Sequence, residues 1–145
     1  GLIWTIRRAM VICGYTLPER QVFDLLAGLR VLRAQEVVGE TAVFGTGPWC
    51  VQAIYAAILD PEVSEIVLEQ PAASHEDPET PEIMGVLRVG DLPQNLALVY
   101  PRPITFVGEI PEAYQWTVDT YEKLGAAERI RVIESVQEWR PSPSN

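Results

Sequence analysis

An α/β fold built on a parallel sheet of about four strands is the prediction for this chain, and three features of the 145-residue sequence carry it. Short β-branched runs alternate with apolar-periodic segments of about a dozen residues, the spacing of strand–helix–strand crossovers. The stretch "TAVFGTGPWC" passes from one such run through two glycines into the apolar "VQAIYAAIL", which reads as strand, tight turn and helix. Hydrophobic residues make up 48% of the chain, enough for one domain with a real core.

In chain order, Val22, Leu25, Leu26, Leu29 and Leu32 recur at helical spacing after Pro18, which suits a first helical position, and predict an amphipathic helix over 18–35. Thr41–Gly45 is the first strand, and "PWCVQAIYAAILD" a helix ended by the turn "DPEV". Ser64–Glu69 is the second strand. The acidic, proline-rich "PAASHEDPETPE" predicts an exposed loop, closing on a short helix in "EIMGVLRV". Ile104–Val107 is the third strand, "PEAYQWTVDTYEKLG" a long helix capped at Gly125, and Ile130–Ile133 the fourth strand. The strands are expected to lie in sequence order in one domain, 1–140, with 141–145 as a disordered tail.

Composition excludes several function classes. A formal net charge of −9 argues against nucleic acid and anionic membranes as partners, because both recruit clustered Lys and Arg. Nine acids and only Arg88 fall between Asp60 and Asp91, a pattern of a solvated face. Cys13 and Cys50 lack metal-site spacing and are expected as buried free thiols. One histidine cannot build a His-based metal cluster within one chain. No apolar run approaches the roughly 20 residues of a membrane span. The opening "GLIWTIRRAM" has its arginines after its apolar residues, the reverse of a signal peptide, and reads as a chain cut from something longer. The compartment and the small-molecule ligand are not readable.

The turn at Gly45–Trp49 admits two chemistries. As a dinucleotide fingerprint, "GTGPWC" offers G-x-G-x-x-C, with Glu69 at the end of the next strand as the ribose-binding acid; Cys50 replaces the third glycine and Pro48 removes an N–H that could hold phosphate. As a nucleophile elbow, G-x-nucleophile-x-G, it puts Gly45 first, Gly47 at the serine position and Trp49 in place of the last glycine. Gly47 has nothing to attack with, Thr46 is offset by one residue, and Pro48 lacks the backbone N–H expected of an oxyanion donor.

The segments "AIYAAILDPEVSEIVLEQPAASHE", "DLPQNLALVYPRP" and "LVYPRPITFVGEIPEAY" resemble the C-terminal half of α/β-hydrolases of the acetyl xylan esterase and dienelactone hydrolase type, over about residues 15–135. The resemblance implies a partial three-layer αβα fold, a nucleophile position at Gly47, a triad acid near Glu109 and a triad histidine in or after "RIRVIESVQEW", where no histidine stands. It implies no cofactor. It points to a catalytically degenerate domain with a structural or binding role in a carbohydrate-active protein; the alternatives are an esterase completed by another chain and a dinucleotide-binding module.

Weaker candidates complete the reading. Ser74 and His75 are the only Ser/His pair, but adjacent side chains rarely align as nucleophile and base, and a solvent-facing or locally bonded loop pair is expected. Glu69, Glu76 and Asp77 are candidates for paired carboxylates or a weak cation site. Trp49, Trp116 and Tyr114 are candidates for a sugar cleft, with core or edge packing as the simpler expectation. Finally, half a hydrolase sheet leaves Thr41–Gly45 as an open edge, to be covered by self-association or by a separate N-terminal half.

Overall fold

The computed structural model describes residues 1–35 and 39–141, apart from the side chain of Ile3. Five helices and four strands alternate along these residues: α1 (Leu2–Ile12), α2 (Leu17–Arg33), β1 (Thr41–Thr46), α3 (Trp49–Leu59), β2 (Val63–Glu69), α4 (Leu92–Leu96), β3 (Ile104–Val107), α5 (Gln115–Lys123) and β4 (Ile130–Ile133). The strands form one parallel sheet in the order β1-β2-β3-β4, as expected for consecutive crossovers. β1 is an edge strand.

Local sequence explains where most elements start. A reciprocal capping box opens α2: the Glu19 N–H donates to Thr16 Oγ1 and the Thr16 N–H to the Glu19 carboxylate, with Pro18 in the first turn. Asp91 and Gln94 repeat the device at α4. Pro48 caps α3 at φ −58°. At the other end of the sheet, Arg33 binds Asp60 Oδ2 at 2.6 Å and Thr41 Oγ1 at 3.0 Å, tying the end of α2 to the starts of β1 and β2.

Several expectations need correction. "EIMGVLRV" makes only a 3-10 turn, Val86–Arg88, because Gly85 at φ +72° interrupts any longer helix. The helix expected over 111–125 begins as a 3-10 turn at Glu112–Tyr114 before α5. The "GLIWTIRRAM" stretch forms α1, with Leu2, Trp4 and Ile12 exposed. On α2 the buried stripe is narrower than its periodicity implied: Val22 and Leu29 are buried, but Leu32 is exposed. Cys50 is buried as expected, whereas Cys13 is exposed. The tail expected to be disordered lies outside the described residues from 142 onward. Among the described residues, no helix is long and apolar enough to cross a membrane.

The core collects on one face of the sheet. Val43, Ile66, Leu68, Ile104 and Phe106 join Val51 and Ile54 of α3, Leu92 and Leu96 of α4, and Tyr121 of α5. Period-two alternation and the strand register send Ala42, Phe44, Glu65, Val67, Thr105 and Arg131 to the opposite face. There the C-terminal segment returns, with Trp139 Nε1 donating to Glu65 Oε1 at 3.0 Å.

Candidate functional site

In a parallel sheet the loops after the strands gather at the carboxyl edge, and ligands bind there. β1 reaches that edge at Thr46. Gly47 then takes φ +52°, in the left-handed region, and turns the chain sharply into α3. Its N–H donates to the Glu69 carbonyl at 2.8 Å, and its own carbonyl accepts the Cys50 N–H at 3.1 Å. The turn is therefore pinned to the end of β2 and to the first turn of α3.

Gly45 and Gly47 do different jobs. A Cβ on Gly45 would sit 2.6 Å from Cys50 Cα, 2.9 Å from Cys50 N and 2.9 Å from the Trp49 carbonyl oxygen, all backbone atoms. Only a residue without a side chain lets the helix start this close to the strand. At Gly47 a Cβ would meet no atom within 4 Å, so a side chain there would project into open space. This is strand–turn–helix geometry with its tip at Gly47, the nucleophile position of the elbow register. Thr46 is exposed beside the tip, and Trp49 is 56% exposed.

The thiol nearest the tip is Cys50. It is 1% exposed, and its Sγ donates to the Glu69 carbonyl at 3.3 Å. Burial pushes this thiol up to about 12, so it stays protonated at neutral pH and is a packing group. As to a dinucleotide, two of the turn's N–H groups, those of Gly47 and Cys50, are already engaged and Pro48 has none.

Glu69, Gln70, Pro71, Gly108, Glu109 and Glu134 line a cleft of about 490 Å³ at the carboxyl ends of β2, β3 and β4, together with Val107 and Pro111. Glu109, the expected acid position, is exposed at its mouth, just after Gly108 at φ +92°. The loop after β4 contributes Glu134 to this cleft. Gln70 and Glu134 escaped the sequence reading, although the topology rule alone would have nominated Glu134, the residue that follows β4.

His75 lies away from the turn. Its Nε2 is 2.8 Å from the Tyr55 hydroxyl, which sits two turns along α3 from Pro48, and its backbone N–H donates to Asp91 Oδ1 at 2.7 Å. Ser74 Oγ accepts the Glu76 N–H at 2.9 Å, and its hydroxyl serves Asp91 rather than His75. The two side chains do not align with each other: Ser74 is bonded within its loop to Glu76, as expected for a locally bonded pair, whereas His75 is held by the distant Tyr55 and Asp91. Burial tends to raise the Asp91 carboxyl, but the His75 N–H, the Ser74 hydroxyl and the Leu92 N–H together hold it below the usual range. The Tyr55–His75–Asn95–Asp91 network had no signal in the sequence, because its members lie far apart along the chain.

The remaining candidates disperse. Glu69 ends β2 opposite Thr46 and Val107, whereas Glu76 and Asp77 are exposed on the following loop, with Asp77 Oδ1 accepting the Glu79 N–H. Among the described residues no group of three His, Cys, Asp or Glu could hold a metal ion. Tyr114 is fully buried, edge-on to Phe106, and donates its hydroxyl to the Ala72 carbonyl at 2.8 Å, so it belongs to the core. Trp116 is half exposed on α5.

Comparison with known proteins agrees with the architecture. No protein-family model and no curated protein matches the sequence. Among solved structures, the crystal structure of a candidate acetyl xylan esterase from Bacteroides fragilis matches with a TM-score of 0.77 over 92% of this chain, at 14% sequence identity. At that identity the likeness shows the fold, a parallel-sheet α/β architecture. The chain spans 40% of the length of that esterase chain.

Proposed function

We infer that this chain is an α/β-hydrolase-like domain with a structural or binding role, in which the nucleophile elbow keeps its shape without its chemistry. The observation that carries this reading is the tip: Gly47 holds φ +52° with open space ahead of it and no side chain to use that space. Pro48 follows, with no N–H for an oxyanion. The sequence after β4 holds no histidine, and His75 is bonded to Tyr55. The name of the structural neighbour makes acetylated xylan fragments the first ligands to try, with the cleft of Glu69, Glu109 and Glu134 as their place of binding.

Assay of the purified chain with p-nitrophenyl acetate tests the reading, and hydrolysis at the buffer rate is expected. Turnover well above that rate, abolished by a serine-directed phosphonate, overturns it in favour of an active esterase. That second reading is favoured by the preserved elbow geometry and by the 40% share of the neighbour's length, which leaves room for a completing segment from elsewhere.

Gly47→Ser tests the assignment of the tip. The Cβ has space, so the cost is the left-handed backbone, about 1–2 kcal/mol. The variant is expected to fold and to remain inactive, since it has no base and no N–H at Pro48. Gly47→Ser combined with Pro48→Gly regains a donor worth roughly 10²–10³ in rate but still lacks the base, so it too should stay near background. Efficient ester hydrolysis by Gly47→Ser alone would mean that a base lies beside the turn.

The same reading assigns a partner to β1. Among the described residues Thr41–Thr46 is paired on one side only; it carries no charge or proline, and Phe44 is 48% exposed on the face away from the core. A second copy or a separate N-terminal unit is the proposed cover. Light scattering on the isolated chain is expected to find species heavier than 16.2 kDa. A strictly monomeric particle at high concentration would remove self-association.

A further inference from the structure

We propose that His75 is an acid-sensitive latch, holding the stretch around it, within the 71–91 segment, against α3 and α4 while its ring is neutral and releasing that stretch on protonation. One arrangement of protons satisfies Asn95, Tyr55 and His75 Nε2 together. Asn95 Nδ2 donates to the Gly90 carbonyl at 2.8 Å, and a carbonyl can only accept, so the amide orientation is set. The other Nδ2 proton goes to the Tyr55 oxygen at 2.9 Å. With that oxygen accepting from Asn95, the Tyr55 hydroxyl donates its own proton to His75 Nε2 at 2.8 Å. In this arrangement the neutral ring carries its proton on Nδ1, a buried atom that faces the Pro81 carbonyl without a hydrogen bond of ordinary geometry.

A proton added at Nε2 reverses the demand. His75 becomes a donor toward an oxygen that already accepts from Asn95, and the Tyr55 O–H loses its acceptor inside a half-buried site. Burial pushes the Tyr55 hydroxyl up to about 12, so Tyr55 cannot relieve the conflict by giving up its proton. Every element facing the ring contributes to the balance. Tyr55 comes from α3. Asp91, at the N-terminus of α4, favours the protonated ring. Glu82 and Arg88 share with His75 a cleft of about 450 Å³ and carry opposite charges. Ser74, Glu76 and Asp77 flank the histidine on its own loop. Burial lowers the imidazole, Asp91 and the Pro81 carbonyl pull the other way, and burial wins, leaving the ring below its ordinary value.

The segment is also fastened outside the ring: the Tyr114 hydroxyl donates to the Ala72 carbonyl at 2.8 Å, Asn95 Nδ2 holds the Gly90 carbonyl, and Ala72 and Ile83 pack on the core, so the release expected on protonation is local to the stretch around His75. The His75 N–H to Asp91 and the Ser74 hydroxyl hold one end; Thr16 Oγ1 on the Glu82 carbonyl at 2.6 Å and the Met84 N–H on Glu19 Oε1 at 2.7 Å hold the other, at the start of α2. Because the folded ring binds its proton less readily than the unfolded one, the latch is fully closed above the free value of about 6.5. Its hold is lost progressively as pH falls through the window beneath.

His75 is the only histidine, so one imidazole resonance reports the whole titration in the intact chain. Its NMR midpoint should lie below about 6.5 and rise in Tyr55→Phe, which removes the donor to the neutral ring. Hydrogen exchange of the amides around His75, corrected for intrinsic rates, should quicken between pH 7.5 and 5. About tenfold is expected for each pH unit by which the ring is held below its free value. His75→Gln, which still accepts from Tyr55 but does not titrate, should lose that acceleration. A midpoint at or above about 6.5, an unmoved midpoint in Tyr55→Phe, or equal acceleration in His75→Gln would each overturn the latch.

Discussion

Gly45→Ala is expected to cost more than about 3 kcal/mol, the largest loss for a methyl added at any glycine of this chain, seen as an early urea midpoint by far-UV circular dichroism. The added Cβ would lie 2.6 Å from Cys50 Cα, and its other close neighbours are also backbone atoms. No rotamer change can clear such a contact. Relief requires α3 to lift from β1, yet α3 buries Cys50, Val51, Ala53, Ile54, Ala56 and Ala57, so a shift of its first turn spreads through the core. Gly47→Ala, two residues on, is the internal control: it meets no atom within 4 Å and pays only the left-handed backbone. Near-equal stability of the two variants would show that α3 does not sit on the strand as closely as described.

The architecture was legible because its signals are local. Each strand was readable from a short β-branched run, and the parallel order follows from the crossovers between them. The strand–turn–helix at "GTGP" was legible for the same reason, since its residues are contiguous along the chain. Signals that failed were those overridden by one residue or settled by distance. Gly85 breaks what its apolar neighbours propose as a helix. Leu32 keeps helical period but lies beyond the reach of the core. Tyr114 has the composition of a sugar platform, yet its ring is spent on Phe106. His75 was readable only as a loop residue, because Tyr55 and Asp91, which define it, lie 20 residues before and 16 residues after it.

Arg131→Ala carries the second large expectation, a loss of about 3 kcal/mol, or roughly 10 °C in melting temperature for a domain of this size. Glu65 lies in β2 on the face away from the core and is 2% exposed. Thr105 Oγ1 donates to its Oε1 at 2.6 Å, Trp139 Nε1 at 3.0 Å, and the Arg131 guanidinium closes the cluster from β4. Taking a carboxylate out of water costs several kcal/mol, and this pair with its hydrogen bonds roughly repays that cost. Removing the cation leaves the penalty without the repayment. Arg131 is itself about one-third exposed, which places the loss at the lower end of the range for broken buried pairs. One further result separates a stranded charge from lost packing. Replacing both partners, as Glu65→Leu with Arg131→Leu, should recover part of the stability, since it removes the stranded charge but leaves Thr105 Oγ1 and Trp139 Nε1 without their acceptor. If the double variant were as unstable as the single, the pair would be supplying net stability, and the burial of Glu65 would owe more to Arg131 than to the sheet that encloses it.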